Sequence, residues 1–287
     1  DFCLSRGLGD VYKRQGKISA LAQLLLQKGE WNGEQLIPAW WTEEIGKMRV
    51  VIPEDEKKAL THYAYHIKAG KEIFAAEGAF GQYLICFRDY PVAIGITAGA
   101  SEYLAADICL KYIKEAVQIP CEKENLEEAQ EKLEEKLVHL TLPKPEGDKK
   151  DTNEATKKLL NKRIVFTENP RQIESAVIST VGEELKLELT VAGEKKILFA
   201  GYKDWKCNDM YPNDFTKRYH AVSYAFDEDA LYLSVGLLNT SYREEYCLWV
   251  NSENVVVGTW RPNVTYLPAE EDMTWKFTGT FEPSCML

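Results

Sequence analysis

The sequence predicts an α+β protein: an antiparallel sheet with packing helices in the first half, then an all-β antiparallel barrel or sandwich. Apolar residues recur at helical spacing near the start of the chain and alternate with period two from Arg163 onward. A stretch dense in Glu and Lys separates the two regimes. A length of 287 residues leaves room for about two domains.

The first expected element is a helix over Ile18–Lys28, where ISALAQLLLQK is apolar on one face and stops at Gly29. Trp31-Asn32-Gly33 signals a turn, and Pro38 opens a short helix over Ala39–Ile45. Pro53–Lys58 reads as a charged loop and His62–Lys68 as a strand. Two apolar runs, Phe80–Phe87 and Val92–Thr97, flank Arg88-Asp89-Tyr90-Pro91 and predict a hairpin. Ser101 is placed to cap a helix that runs to Val117 and ends at Pro120.

Residues 121–162 carry Leu126, Ala129, Leu133 and Leu137 at helical spacing among charges. They predict a solvated helix and then a linker at Pro143–Gly147. Beyond Arg163, strands are expected at Ile164–Thr167, Glu174–Thr180, Leu185–Val191, Lys196–Ala200, His220–Phe226, Ala230–Leu238, Glu245–Val250, Val255–Trp260 and Thr274–Thr280. Short strands this closely spaced imply a sandwich or barrel. Trp205, Trp249, Trp260 and Trp275 fall among them, as core residues or as the lining of a sugar or lipid site.

Composition narrows the function classes. A net charge of −10 repels phosphates, which argues against nucleic acid and anionic membranes as partners. No run reaches the ~18 apolar residues of a membrane span. The seven cysteines form no C-x-x-C and read as scattered buried or free thiols. His62 and His66 are four apart but lie in an alternating run, so no metal site is expected, and nothing implies a cofactor. There is no Gly-rich phosphate loop, G-x-S-x-G or H-E-x-x-H. The most informative run is Ala75–Gly99, where Gly78 and Gly81 permit close backbone approach beside a strand.

On these residues the chain resembles a family. From about Gly16 to Tyr112 it is similar to the C-terminal part of the beta-lactamase-related serine hydrolases, which include class C beta-lactamases and penicillin-binding esterases. ALAQLLLQKGEWNGEQLIPAWW resembles a helical segment of that family. Ala76-Glu77-Gly78-Ala79-Phe80-Gly81-Gln82 resembles an A-x-G-x-x-G-Q version of its third active-site box, on a strand that walls the cleft. The resemblance implies a partial beta-lactamase-like sheet and acyl transfer on an ester, amide or lactam. It makes the Ala79 backbone N–H an oxyanion-hole donor and sets Ala76, Glu77, Gly78, Phe80, Gly81 and Gln82 beside a small-molecule or peptide-like substrate. Ala76 stands where the family usually has Lys or His, which weakens the case for beta-lactams.

No Ser-x-x-Lys occurs, and the only Tyr-x-Asn, Tyr211-Pro212-Asn213, follows the box and reads as a turn. The nucleophile and general base are therefore expected upstream, in a missing half of the hydrolase domain, and this chain is expected to be inactive alone. Ser5–Gln15 (SRGLGDVYKRQ) resembles a translated sequencing adapter, which would make residues 1–15 non-native. The expected organisation is 1–15, an artefact; 16–120, the C-terminal part of the hydrolase domain; 121–162, charged helix and linker; and 163–287, an accessory β domain. The source reads as bacterial, with the cytoplasm and the cell envelope both open. Two alternatives stand beside this reading: a β-barrel module that binds a ligand or glycan, and a catalytically dead interaction protein.

Overall fold

The computed structural model describes residues 16–53, 58–100, 105–118, 126–148, 154–208, 219–238, 240–265 and 273–283. Ser101 and Tyr211–Asn213 lie outside the described residues, as do residues 1–15. Mixed α+β structure with a C-terminal barrel is what the chain adopts, and it divides into two compact units at Pro143/Lys144.

The first unit opens with helix α1 (residues 16–26) and a small hairpin, β1 (Glu30–Trp31) and β2 (Glu34–Gln35). Gly29 ends the helical region with φ +83, and a Cβ there would meet the Ile37 carbonyl oxygen at 2.0 Å. Only glycine fits that closing turn. Helix α2 (Ala39–Ile45) follows Pro38 and buries Thr42 and Ile45.

A six-stranded antiparallel sheet runs in sequence order: β3 (Val50–Val51), β4 (His62–Ala64), β5 (Ile67–Ala69), β6 (Ile73–Gly78), β7 (Gln82–Phe87) and β8 (Ala93–Ile96). Both faces are covered, and the strand alternation sorts the side chains. Phe74, Leu84 and Cys86 pack with Ala22 and Leu25 of α1, while Ile73, Ala75, Tyr83, Ile85 and Phe87 pack with Ala106 of α3 (Ala105–Ala116). Helix α4 (Leu126–Val138) buries none of its residues, as its charge density implies.

Two sequence expectations change here. His62–Lys68 is two strands, because Tyr65 and His66 both take left-handed backbone (φ 48 and 61) and fold the run into a hairpin. Phe80–Phe87 likewise begins too early. Phe80 and Gly81 are left-handed (φ 62 and 88), so the turn falls at residues 79–81, with β6 before it and β7 after it.

The second unit starts with the linker from Lys144 and the short helix α5 (Glu154–Leu159). Antiparallel strands follow: β9 (Arg163–Phe166), β10 (Ile173–Val181), β11 (Glu184–Val191), β12 (Glu194–Tyr202), β13 (Lys206–Asn208), β14 (His220–Asp227), β15 (Ala230–Leu237), β16 (Arg243–Val250), β17 (Val256–Pro262) and β18 (Trp275–Phe281). Nearest-neighbour hairpins link most of them, and β18 returns to pair with β9.

Closure comes from a parallel contact of β12 with β14 at Gly201–Ser223 and Tyr202–Tyr224. Asn208, at the end of β13, seals the seam: it accepts the Phe199 N–H at 2.6 Å and donates to the carbonyls of Phe199, Lys206 and His220. A barrel is therefore the outcome of the barrel-or-sandwich alternative. Leu159 of α5 is fully buried in the barrel core with Ile164, Ile178, Leu185 and Leu231. So α5 belongs to the barrel, although its charges read as linker. Cys86, Cys109 and Cys247 are free thiols, whereas Cys207 is disulfide-bonded, which departs from the expectation of unpaired thiols throughout.

Candidate functional site

The residues singled out in the sequence lie at the end of β6 and in the turn after it. The Ile73 carbonyl accepts the Gly70 N–H at 2.8 Å on the β5 side. Antiparallel geometry then directs the backbone groups of Ala75 and Glu77 to that same side. The β5 pairing stops at Lys68–Ala75. Among the described residues no strand pairs with β6 beyond it, so the Glu77 backbone groups face an open edge, and Ala79 follows in the turn. Ala79 is exposed.

The remaining residues of this run are already engaged. Ala76 packs towards the α1 side of the sheet. The Glu77 side chain is 8% exposed; its carboxylate pairs with Lys68 at 2.7 Å and accepts the Tyr83 hydroxyl at 2.9 Å. Gln82 donates to the Ala98 carbonyl at 2.6 Å, and Phe80 accepts the Ala100 N–H at 3.0 Å. A Cβ on Gly81 would press on Ala98 at 3.0 Å. The structure thus sets Ala76, Glu77 and Gly78 on the strand, Ala79–Gly81 in the turn and Gln82 on the next strand.

A second site was not read from the sequence. The barrel holds a cavity of about 120 Å³. Its walls are largely aliphatic and aromatic, with Ile173, Leu189, Val235, Leu248 and Phe277 among them. These come from β10, β11, β15, β16 and β18, whose alternation turns every second side chain inward. Four polar residues also line it: Arg171, Lys196, His220 and Glu244, with the Tyr246 ring beside them.

Glu244 is the buried charge, at 7% exposure. Its two carboxylate oxygens have separate partners: Arg171 at 3.1 Å on one and the Tyr246 hydroxyl, donating at 2.6 Å, on the other. Burial, and then the adjacent carboxylate, push the Tyr246 phenol well above its usual range, so it stays protonated and donating. Burial opposes the Arg171 charge, but Glu244 and Tyr246 outweigh it and hold the guanidinium above its usual value. Arg171 also lies over the Trp260 ring at 5.9 Å.

The signal for this cluster was present but weak. Glu244, Tyr246 and Leu248 are two apart on one strand and so share a face, which put a carboxylate on an otherwise apolar, inward side. Arg171 sits in the loop before β10, and no local pattern links it to Glu244. The tryptophans do not form an exposed sugar platform: Trp205, Trp260 and Trp275 are 8%, 5% and 8% exposed, and Trp260 packs on Trp275 at 4.9 Å. No group of three metal-ligating side chains occurs among the described residues, and no helix there is long and apolar enough to cross a membrane.

No family model and no curated protein matches the sequence. Solved structures similar to the chain include an abundant heat soluble (SAHS) protein of Ramazzottius varieornatus, at 14% identity and TM-score 0.30, over 38% of this chain and 70% of that one. Another is apo lipid binding protein 8 of Caenorhabditis elegans, at 7% identity and TM-score 0.35, over 45% of this chain and 98% of that one.

Proposed function

We propose that this chain works through its barrel, as a module that binds a small, mainly apolar ligand in the interior cavity. The observation that carries the reading is the cavity itself: apolar walls around one buried, hydrogen-bonded polar cluster. That is the usual make-up of a small-molecule site, where apolar surface supplies affinity and a few polar groups fix orientation. Its volume suits an aromatic ring or short alkyl chain, since an apolar cavity of ~150 Å³ accepts benzene. Binding needs only residues that this chain contains, whereas the hydrolase reading needs a nucleophile that it lacks.

The test is a titration with benzene followed by methyl NMR. Saturable shifts are expected at Ile173, Leu189, Val235 and Leu248. The variant Ala176→Leu, which adds bulk to a cavity wall, should weaken binding strongly while the fold persists. Shifts scattered over the surface, or binding untouched by Ala176→Leu, would remove the reading.

A second reading is favoured by the open edge of β6. In it, the first unit is the C-terminal part of a beta-lactamase-like hydrolase domain, and the Ala79 N–H supplies one oxyanion-hole donor to an acyl-transfer site completed by upstream sequence. An unpaired strand edge supports this, because it presents rigid N–H groups to a developing oxyanion and lets an extended substrate pair beside it. The chain alone should then hydrolyse neither p-nitrophenyl esters nor a chromogenic cephalosporin. Turnover that a serine-reactive fluorophosphonate abolishes would contradict it.

A further inference from the structure

We infer that the barrel cavity selects a neutral, hydroxyl-bearing small amphiphile over the corresponding carboxylate. This deepens the ligand-binding reading and rests on it. An arginine at the mouth of an apolar cavity would ordinarily invite an anionic head group. Here that charge is already taken, because Arg171 pairs with Glu244 at 3.1 Å.

Of this pair, Glu244 is the more buried partner. Its side chain is 9% exposed against 42% for Arg171. The more deeply buried charge of the pair is therefore negative. A ligand carboxylate reaching Arg171 would have to sit beside Glu244, a like-charge contact in a poorly solvated place.

The hydrogen-bond inventory points the same way. The Tyr246 hydroxyl spends its proton on Glu244 at 2.6 Å. The Tyr246 oxygen in turn accepts from Arg171, so what this part of the cluster still offers is acceptor capacity at the second lone pairs of the Glu244 oxygens. An alcohol or phenol O–H can donate to these, and a carboxylate cannot. The other basic residue of the lining, Lys196, lies near the start of β12 by the Ala192–Gly193 turn and is partly buried. His220 completes the polar lining at the start of β14.

The full-length chain is titrated at neutral pH with 1-hexanol and, separately, with hexanoate, reading the cavity methyls by NMR. Hexanol is expected to bind more tightly than hexanoate by about tenfold or more. Glu244→Gln, which keeps the shape and frees the Arg171 charge, should narrow or reverse that ratio. The variant's fold is checked by its NMR spectrum; if it does not fold, the wild-type ratio alone decides. Hexanoate binding as well as or better than hexanol in the wild type would overturn the inference and leave the cavity reading intact. If neither probe nor benzene shifts the cavity methyls, the ligand-binding reading falls and the inference with it.

Discussion

In the barrel, β12 is joined back to β14 and the seam is sewn by Asn208, whereas the sheet of the first unit ends on β3 and β8 with no further strand beside either among the described residues. The contrast extends to the surface. Trp40 and Val50 of the first unit are 67% and 65% exposed, and Val51, Tyr63 and Tyr65 are exposed near them. The barrel also exposes Val165, Val181, Ile197 and Tyr232, but it gathers most of its large side chains around one core from Leu159 to Phe277. Closure removes the edges that an open sheet must otherwise cover or pair. A closed unit can hold a private cavity; an open one leaves edge strands with backbone groups that no further strand pairs.

The sharpest way to break this comparison is through the core. Leu231 is fully buried in the barrel, so Leu231→Ala should cost about 2–5 kcal/mol in urea unfolding of the barrel transition. The exposed Val50→Ala should leave every transition where it was. Next is the seam. Asn208→Ala leaves the Phe199 N–H without its partner and should cost about 1–3 kcal/mol, with faster hydrogen exchange confined to β12 and β14. Similar exchange before and after the change would mean that the β12–β14 contact closes the barrel unaided.

A smaller effect is read through pH in the sheet unit. Burial pushes the Cys86 thiol from the usual 9.0 to about 12 in the folded sheet unit. Between those values the unfolded chain loses the proton and the folded chain keeps it, so stability falls as pH rises through that window. The difference in urea midpoint between wild type and Cys86→Val should shrink over the same range, while for the barrel transition, whose own buried Tyr246 and Cys247 titrate alike in both proteins, that difference should stay flat. Smallest of all is Lys132→Ala on α4. Its pair with Glu128 is exposed on both sides, and its removal should leave both transitions unchanged.

Several barrel strands were legible because they alternate: ELKLELTV of β11 and WKFTGTF of β18 show their inward sides in the sequence itself, whereas β14 and β15 read as near-continuous apolar runs. Helix α2 was legible from Pro38. What stayed hidden depends on partners far apart in the chain. The three-residue β13 is too short to show a period, and the Asn208 seam joins residues that no local pattern connects. The turn at Ala79–Gly81 was hidden because Phe80, a bulky residue, takes the left-handed backbone normally left to glycine. The Ala76–Gln82 run was visible as a motif, yet the commitment of Glu77 to Lys68 and Tyr83 was not. The cavity cluster escaped because Arg171 and Glu244 meet only once the barrel has closed.

The most direct test of the barrel as the self-sufficient, ligand-holding unit is limited proteolysis followed by binding. Residues 140–143 are exposed and lie outside regular structure, just before the unit boundary, whereas Leu159 of α5 is locked in the barrel core. Cleavage should therefore fall there and leave a resistant C-terminal fragment that retains α5. That fragment is expected to bind benzene as the whole chain does, with the same methyls of Ile173, Leu189, Val235 and Leu248 responding. A fragment that is degraded further, or that survives and no longer binds, would contradict the account.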